Sequence, residues 1–275
     1  MKKLILGFLL VFGSATLVVT AQPLSDRPRD AAYDENLEDE RRIIPYDYLR
    51  EADVFWRKRI WRIIDCREKI NLPFVYPKEP LISLMLNALK NNEIQVYDPI
   101  DDEFTRQMDI GEIERILSRT DTTYTISPLT YMDTMIVSHS ELDPLTFQKF
   151  RLKEDWIFDE ELSTMYVRII GVAPVRDVID PITGEKRGES VLFWVHYPSV
   201  RQILANKYAF NPQNSAIRMS WEDIFEMRMF GSYIVKEDNV YDREIESYAT
   251  GIDVVLESER IKLDLFRFEH ELWHY

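Results

Sequence analysis

Apolar and polar positions divide the chain into an unpacked front and a patterned body. Leu4 to Val19 form a short apolar run behind Lys2 and Lys3. Val19-Thr20-Ala21 follows with small residues, the pattern of an export signal over residues 1–21 cut before Gln22. The run is too short for a retained membrane span, and no Cys follows the cut to carry a lipid. Residues 22–42 are rich in acidic side chains and poor in large apolar ones, so they predict a flexible acidic arm. Order is expected from Ile43, as one domain over residues 43–275.

Within that body, Leu49, Ala52, Trp56, Ile60 and Ile63 recur at steps of three and four, predicting a helix from Asp47 to about Cys66. Leu81, Leu84, Met85, Ala88 and Leu89 predict a second helix, followed by a strand at Ile94–Tyr97. A third helix is expected around Gly111–Leu117, and the Thr-rich stretch from Thr120 to Thr134 fits strand or loop. Phe147–Phe158 reads as a strand with Trp156 and Phe158 turned to the core. Met165–Val172 and Val191–Tyr197 are β-branched and aromatic around a turn-forming Asp180-Pro181-Ile182-Thr183-Gly184, predicting a long hairpin with its tip at 178–189. Helices follow after Pro198, over Trp221–Met229, and from Val255 to Trp273, the last with Ile261, Leu265, Phe268 and Leu272 on its stripe. Strands and helices mix without a βαβ rhythm, so the expected class is α+β: helices around an antiparallel sheet with a long hairpin and a C-terminal amphipathic helix.

Charge narrows the partners. The 275 residues carry a formal net charge of −14, which excludes nucleic acid as an overall partner because phosphate recognition needs a dominant basic face. Cys66, the single cysteine, cannot form an intrachain disulfide and is expected as a buried thiol. Against the acidic background stands a local reversal: Arg57, Lys58, Arg59, Arg62, Arg67 and Lys69 outweigh Asp65 and Glu68. With Trp56 and Trp61 among them, the candidate interface is Trp56, Arg57, Arg59, Trp61, Arg62, Arg67 and Lys69, because Arg and Trp are enriched at interface anchors. The alternative is a solvated face with internal salt bridges. A basic patch on an acidic body also suits head-to-tail contact between copies, which closes into a ring when its rotation allows.

Candidate chemistry is sparse. His270-Glu271-Leu272-Trp273-His274 spells H-E-x-x-H, the zinc-peptidase spacing, but no downstream third ligand follows it. The competing reading is a terminal amphipathic helix whose histidines suit its negative dipole end. His139 and His196 have no ligand-like spacing. No nucleophile elbow or phosphate loop is present. The acidic run Glu154–Glu161 is expected as a solvated turn flanking buried aromatics rather than a catalytic pair. No catalytic, cofactor or metal residue is assigned.

Longer strings carry a resemblance. Trp56-Arg57-Lys58-Arg59-Ile60-Trp61-Arg62-Ile63-Ile64-Asp65, Lys153-Glu154-Asp155-Trp156-Ile157-Phe158-Asp159, Arg168-Ile169-Ile170-Gly171-Val172-Ala173-Pro174 and Phe230-Gly231-Ser232-Tyr233-Ile234 resemble the gliding-motility family GldN, called PorN in non-gliding relatives, over nearly all of residues 43–275. The resemblance implies a periplasmic, non-catalytic ring subunit of the type IX secretion system of Bacteroidetes. It also implies an outer-membrane lipoprotein partner, GldK or PorK, and contact with the periplasmic part of the motor protein GldM or PorM. No cofactor is implied. A zinc hydrolase built on His270, Glu271 and His274, and a periplasmic chaperone or binding protein, stand as the alternatives.

Overall fold

The computed structural model describes residues 41–126, 133–141, 146–180, 184–214 and 216–272. The expected export signal, nearly all of the expected acidic arm, the tip residues 181–183 and residues 273–275 lie outside the described residues. The class is α+β, built on a seven-stranded antiparallel sheet.

At its centre are β1 (Val54–Asp65), β5 (Lys149–Asp159) and β6 (Thr164–Ile179). β11 (Tyr233–Glu237) pairs the outer side of β1. Along the far side of β6 run β7 (Lys186–Val191) and then β8 (Trp194–His196), and β2 (Val96–Tyr97) closes that edge. A separate ribbon joins β3 (Ser118–Ile126) to β4 (Asp133–Glu141), resolving the Thr-rich stretch as strand where it is described. A small pair, β9 (Tyr208–Ala209) with β10 (Met219–Ser220), lies between helices.

The helix expected over 47–66 is instead β1. Seven of its twelve residues are β-branched or aromatic, and such side chains pack on a pleated surface at lower entropic cost than along a helix. From Ile60 to Asp65 the strand is buried on both faces, so its apolar positions run on continuously and mimic a helical stripe. The acidic run Glu154–Glu161 is corrected in part. Glu154–Asp159 form the second half of β5, the strand expected over Phe147–Phe158, with Glu154 fully buried, and Glu160 and Glu161 lie in the exposed turn that follows. Trp156 and Phe158, expected in the core, are only half-buried.

The helices agree closely with their stripes. α1 (Leu81–Lys90), α2 (Ile110–Leu117), α3 (Tyr197–Ala205), α4 (Trp221–Glu226) and α5 (Ile252–Glu271) form where predicted. Pro198 sits in the first turn of α3, and α4 begins with a reciprocal cap between Ser220 and Asp223. The β6–β7 hairpin forms as expected, with its turn closed by Gly184 N–H donating to the Asp180 carbonyl.

Strand alternation sends Ile60 and Ile64 to one face of the sheet and Trp61 and Ile63 to the other. The first face carries the main core, where Ile64, Phe150, Leu152 and Val172 meet α1, α3 and α4. Beside it Ile60 and Ile234 pack on Ile261 and Leu265 of α5. On the second face Trp61, Ile63, Ala173, Trp194 and Val235 cluster under Tyr97 and Phe104. Gly171 is required there: a Cβ would lie 2.6 Å from Phe104 Cζ. Cys66 is buried, and burial pushes its thiol up to about 12.

Candidate functional site

The basic-aromatic string lies on a strand, so its side chains divide between the two faces of the sheet. Trp56 faces α5 and stacks on Phe268 with ring centroids 4.4 Å apart. Arg62, on the same face, is 7% exposed; its Nε donates to Ser232 Oγ at 3.0 Å, and burial lowers its pKa. Nearby, Glu154 accepts two bonds from Arg228 at 2.9 and 3.1 Å.

On the opposite face, Arg59 and Trp61 join a layer of charged side chains spanning three strands. Arg59 donates Nε and Nη2 to the two oxygens of Asp155 at 2.7 and 3.0 Å, directly across the β1–β5 pair. Trp61 donates Nε1 to Asp102 Oδ2 at 2.6 Å. Its ring lies between two ammonium groups, Lys236 at 4.4 Å and Lys153 at 5.8 Å from the centroid. Lys153 is 2% exposed, donates to the Asp102 carbonyl, and is lowered in pKa by burial against the opposing pull of Asp102. Lys236 pairs with Asp242 at 2.5 Å, and Arg151 with Glu244 at 2.5 Å.

Beyond the strand, Arg67 closes a fork onto Asp65, which holds that carboxyl below its ordinary range. Arg57 and Lys69 are exposed, Arg57 lying 4.0 Å from Asp155. The seven predicted residues are therefore not one surface. Trp56, Arg59, Trp61 and Arg62 hold the sheet and its coverings together, while Arg57, Arg67 and Lys69 face solvent.

A second feature was missed in the sequence. Residues 41–53 run as a strap along α3, α4 and the β5–β6 turn, leaving a groove of about 780 Å³ lined by Tyr46, Tyr166, Arg168, Arg201 and Glu226 among others. The strap is pinned at its start: Arg41 donates to both oxygens of Asp223 at 2.5 and 2.7 Å, and its N–H donates to Asn206 Oδ1 at 2.9 Å. Tyr46 is tucked inward, with its hydroxyl on Glu226 at 2.5 Å and its ring 4.0 Å from the Arg201 guanidinium. Arg201 in turn pairs with Glu222 at 2.8 Å. These charges answer one another, so the groove seats the strap rather than presenting an unpaired reactive group. Arg41, assigned to the arm by composition, thus belongs to the folded body. A run of charges carries no periodic signal of such tethering.

His270 lies on the outward side of α5 with its ring stacked against Phe266, and His274 lies outside the described residues. Among the described residues no group of three or more His, Cys, Asp or Glu is placed to hold a metal ion. His196 sits on β8 with its ring 5.5 Å from Phe104. Among the described residues no helix is long and apolar enough to cross a membrane.

Sheet, helices and buried charge layer together define an α+β protein whose distinctive residues are spent on its own sheet. The family profile described as gliding motility associated protein GldN matches residues 49–274, and the chain belongs to that family. No curated protein matches it.

Proposed function

We propose that this chain is a non-catalytic structural subunit of the type IX secretion apparatus, exported to the periplasm. There it assembles in a ring with a GldK/PorK-like outer-membrane lipoprotein and contacts the periplasmic part of a GldM/PorM-like motor protein. The observation that carries this reading is the family match over 49–274, which spans the whole described sheet and α5. The charged residues support it as well: Arg59, Lys153, Glu154 and Arg228 are each engaged in ion pairs that stabilise a scaffold. An exported location accords with the Lys2-Lys3 and Leu4–Val19 pattern.

Of the original basic patch, Arg57, Arg67 and Lys69 are left as the part suited to docking, since their side chains face solvent. Deleting the gene in its host should abolish secretion of type IX cargo. Complementation with Arg57→Glu/Lys69→Glu, which touches no internal ion pair except the 4.0 Å contact to Asp155, should restore protein abundance but not secretion. Full secretion in the deletion strain would overturn the proposal. Full rescue by the double variant would remove this patch from the assembly interface.

A further inference from the structure

α5 is apolar on two opposite sides. Its inner side buries Ser258, Ile261 and Leu265 against β11 and β1. The outer side leaves Ile252 77%, Leu256 61%, Leu263 49% and Phe266 65% exposed. Together with Glu259 and His270 these follow a four-three-four-three-four spacing over 252–270, the seam of a two-helix coiled coil, turned to solvent on a protein of net charge −14. A single-sided surface helix keeps charge on that side. Here the charged residues other than Glu259 lie on the two flanks between the apolar stripes.

We propose that this outer seam pairs antiparallel with α5 of a second copy of the chain about a two-fold axis that crosses the seam between Glu259 and Leu263. The flanking charges select this arrangement. In a parallel pair, Lys262 of one copy would face Arg267 of the other, and the two cations repel. In the antiparallel pair Asp253 meets Arg267 of the second copy, and the contact occurs twice by symmetry. Leu256 then packs on Phe266 and Glu259 beside Leu263, with Ile252 against the stacked Phe266 and His270. Near the axis Arg260 would approach its own copy, but it is already held by Glu257 at 2.7 Å and Asp264 at 2.6 Å within the helix. Lys262, 3.4 Å from its own Glu259, likewise meets Lys262 of the second copy once at the axis. The antiparallel pair thus makes two attractive and two like-charge flank contacts, where the parallel pair makes two like-charge contacts and no attractive one.

Area sets the strength. A 20-residue helix is about 30 Å long and about 10 Å across, so the seam covers roughly 300 Å² on each copy, against about 800 Å² for a stable stand-alone complex. The pair is therefore weak in dilute solution and forms where copies are concentrated. This inference does not rest on the proposed secretion role.

The experiment is sedimentation of the mature full-length protein over a wide concentration range. A reversible monomer–dimer equilibrium is expected. Leu256→Lys/Phe266→Lys should weaken it by about a hundredfold without unfolding the chain, since both side chains are already in water. Asp253→Arg should weaken it by roughly tenfold, and Asp253→Arg/Arg267→Asp should restore it, a rescue that only an antiparallel self-pair provides. In a second arm, Lys262→Cys should cross-link to itself with a short bis-maleimide while Leu256→Cys does not, because the axis brings only residues near 261 together. The buried Cys66 thiol leaves the background silent. A monomer at every concentration would overturn the proposal, as would cross-linking through Leu256→Cys alone, which marks a parallel pair. Dimerisation unchanged in Leu256→Lys/Phe266→Lys would also overturn it, by placing the contact elsewhere.

Discussion

Arg59 and Asp155 face each other across β1 and β5 and share two hydrogen bonds of 2.7 and 3.0 Å. The pair turns a residue that sequence offers as a docking contact into a strut of the sheet. Arg59→Glu would set two carboxylates together on a half-buried surface. We expect a loss of about 2–4 kcal/mol of stability, read from urea unfolding, with Arg57→Glu within about 0.5 kcal/mol of the parent. Equal effects of the two substitutions would show that the pair does not hold the strands.

Trp56 is expected to anchor α5 through its stack on Phe268. Trp56→Ala should cost about 2–4 kcal/mol and speed amide exchange over residues 252–271 more than in β6. Uniform exchange changes across the chain would contradict a local anchoring role.

Ser258 lies inside α5, 6% exposed, and its Oγ accepts the Ile234 N–H at 3.0 Å beside an irregularity in the β1–β11 register. Ser258→Ala strands that buried donor, and a loss of about 1–3 kcal/mol is expected in thermal or urea unfolding. Ser258→Thr keeps the hydroxyl and should recover part of it.

His196 has its pKa lowered by burial beside Phe104. The unfolded chain then binds a proton more readily than the folded one. The stability contributed by the neutral imidazole is complete above the unfolded value of about 6.5 and is lost as pH falls from there toward the lower folded value. Melting temperature should therefore drop between pH 7 and pH 5, and His196→Asn should flatten that part of the profile. An identical slope in the variant would assign the acid sensitivity to other groups.

What was legible in the sequence follows a physical divide. Leu81–Leu89, Trp221–Phe225 and Ile261–Leu265 each bury one face only, so their period survives in the residue string and the helices form where it places them. β1 over its second half and β5 through its middle are buried on both faces, which erases the alternation that marks a strand. β5 further disguises itself with Lys153, Glu154 and Asp155. These look like solvent-facing charge until partners from distant segments, Asp102, Arg228 and Arg59, are brought beside them. The residues of the candidate interface divide between two faces because adjacent residues on a strand point to opposite sides of the sheet. The outward stripe of α5, Ile252, Leu256, Leu263 and Phe266, was not singled out in the sequence, because one helix was assigned one apolar side. The stripe expected to be buried, Ile261 and Leu265, is the side that Ile60 and Ile234 cover.

The central claim is that this fold is an assembly subunit. It is tested most directly by the native mass of the protein, purified with and without the proposed GldK/PorK-like lipoprotein partner. The account predicts a megadalton-scale complex only when the lipoprotein is present, and a monomer in weak equilibrium with dimer without it. The same small mass in both samples would contradict it.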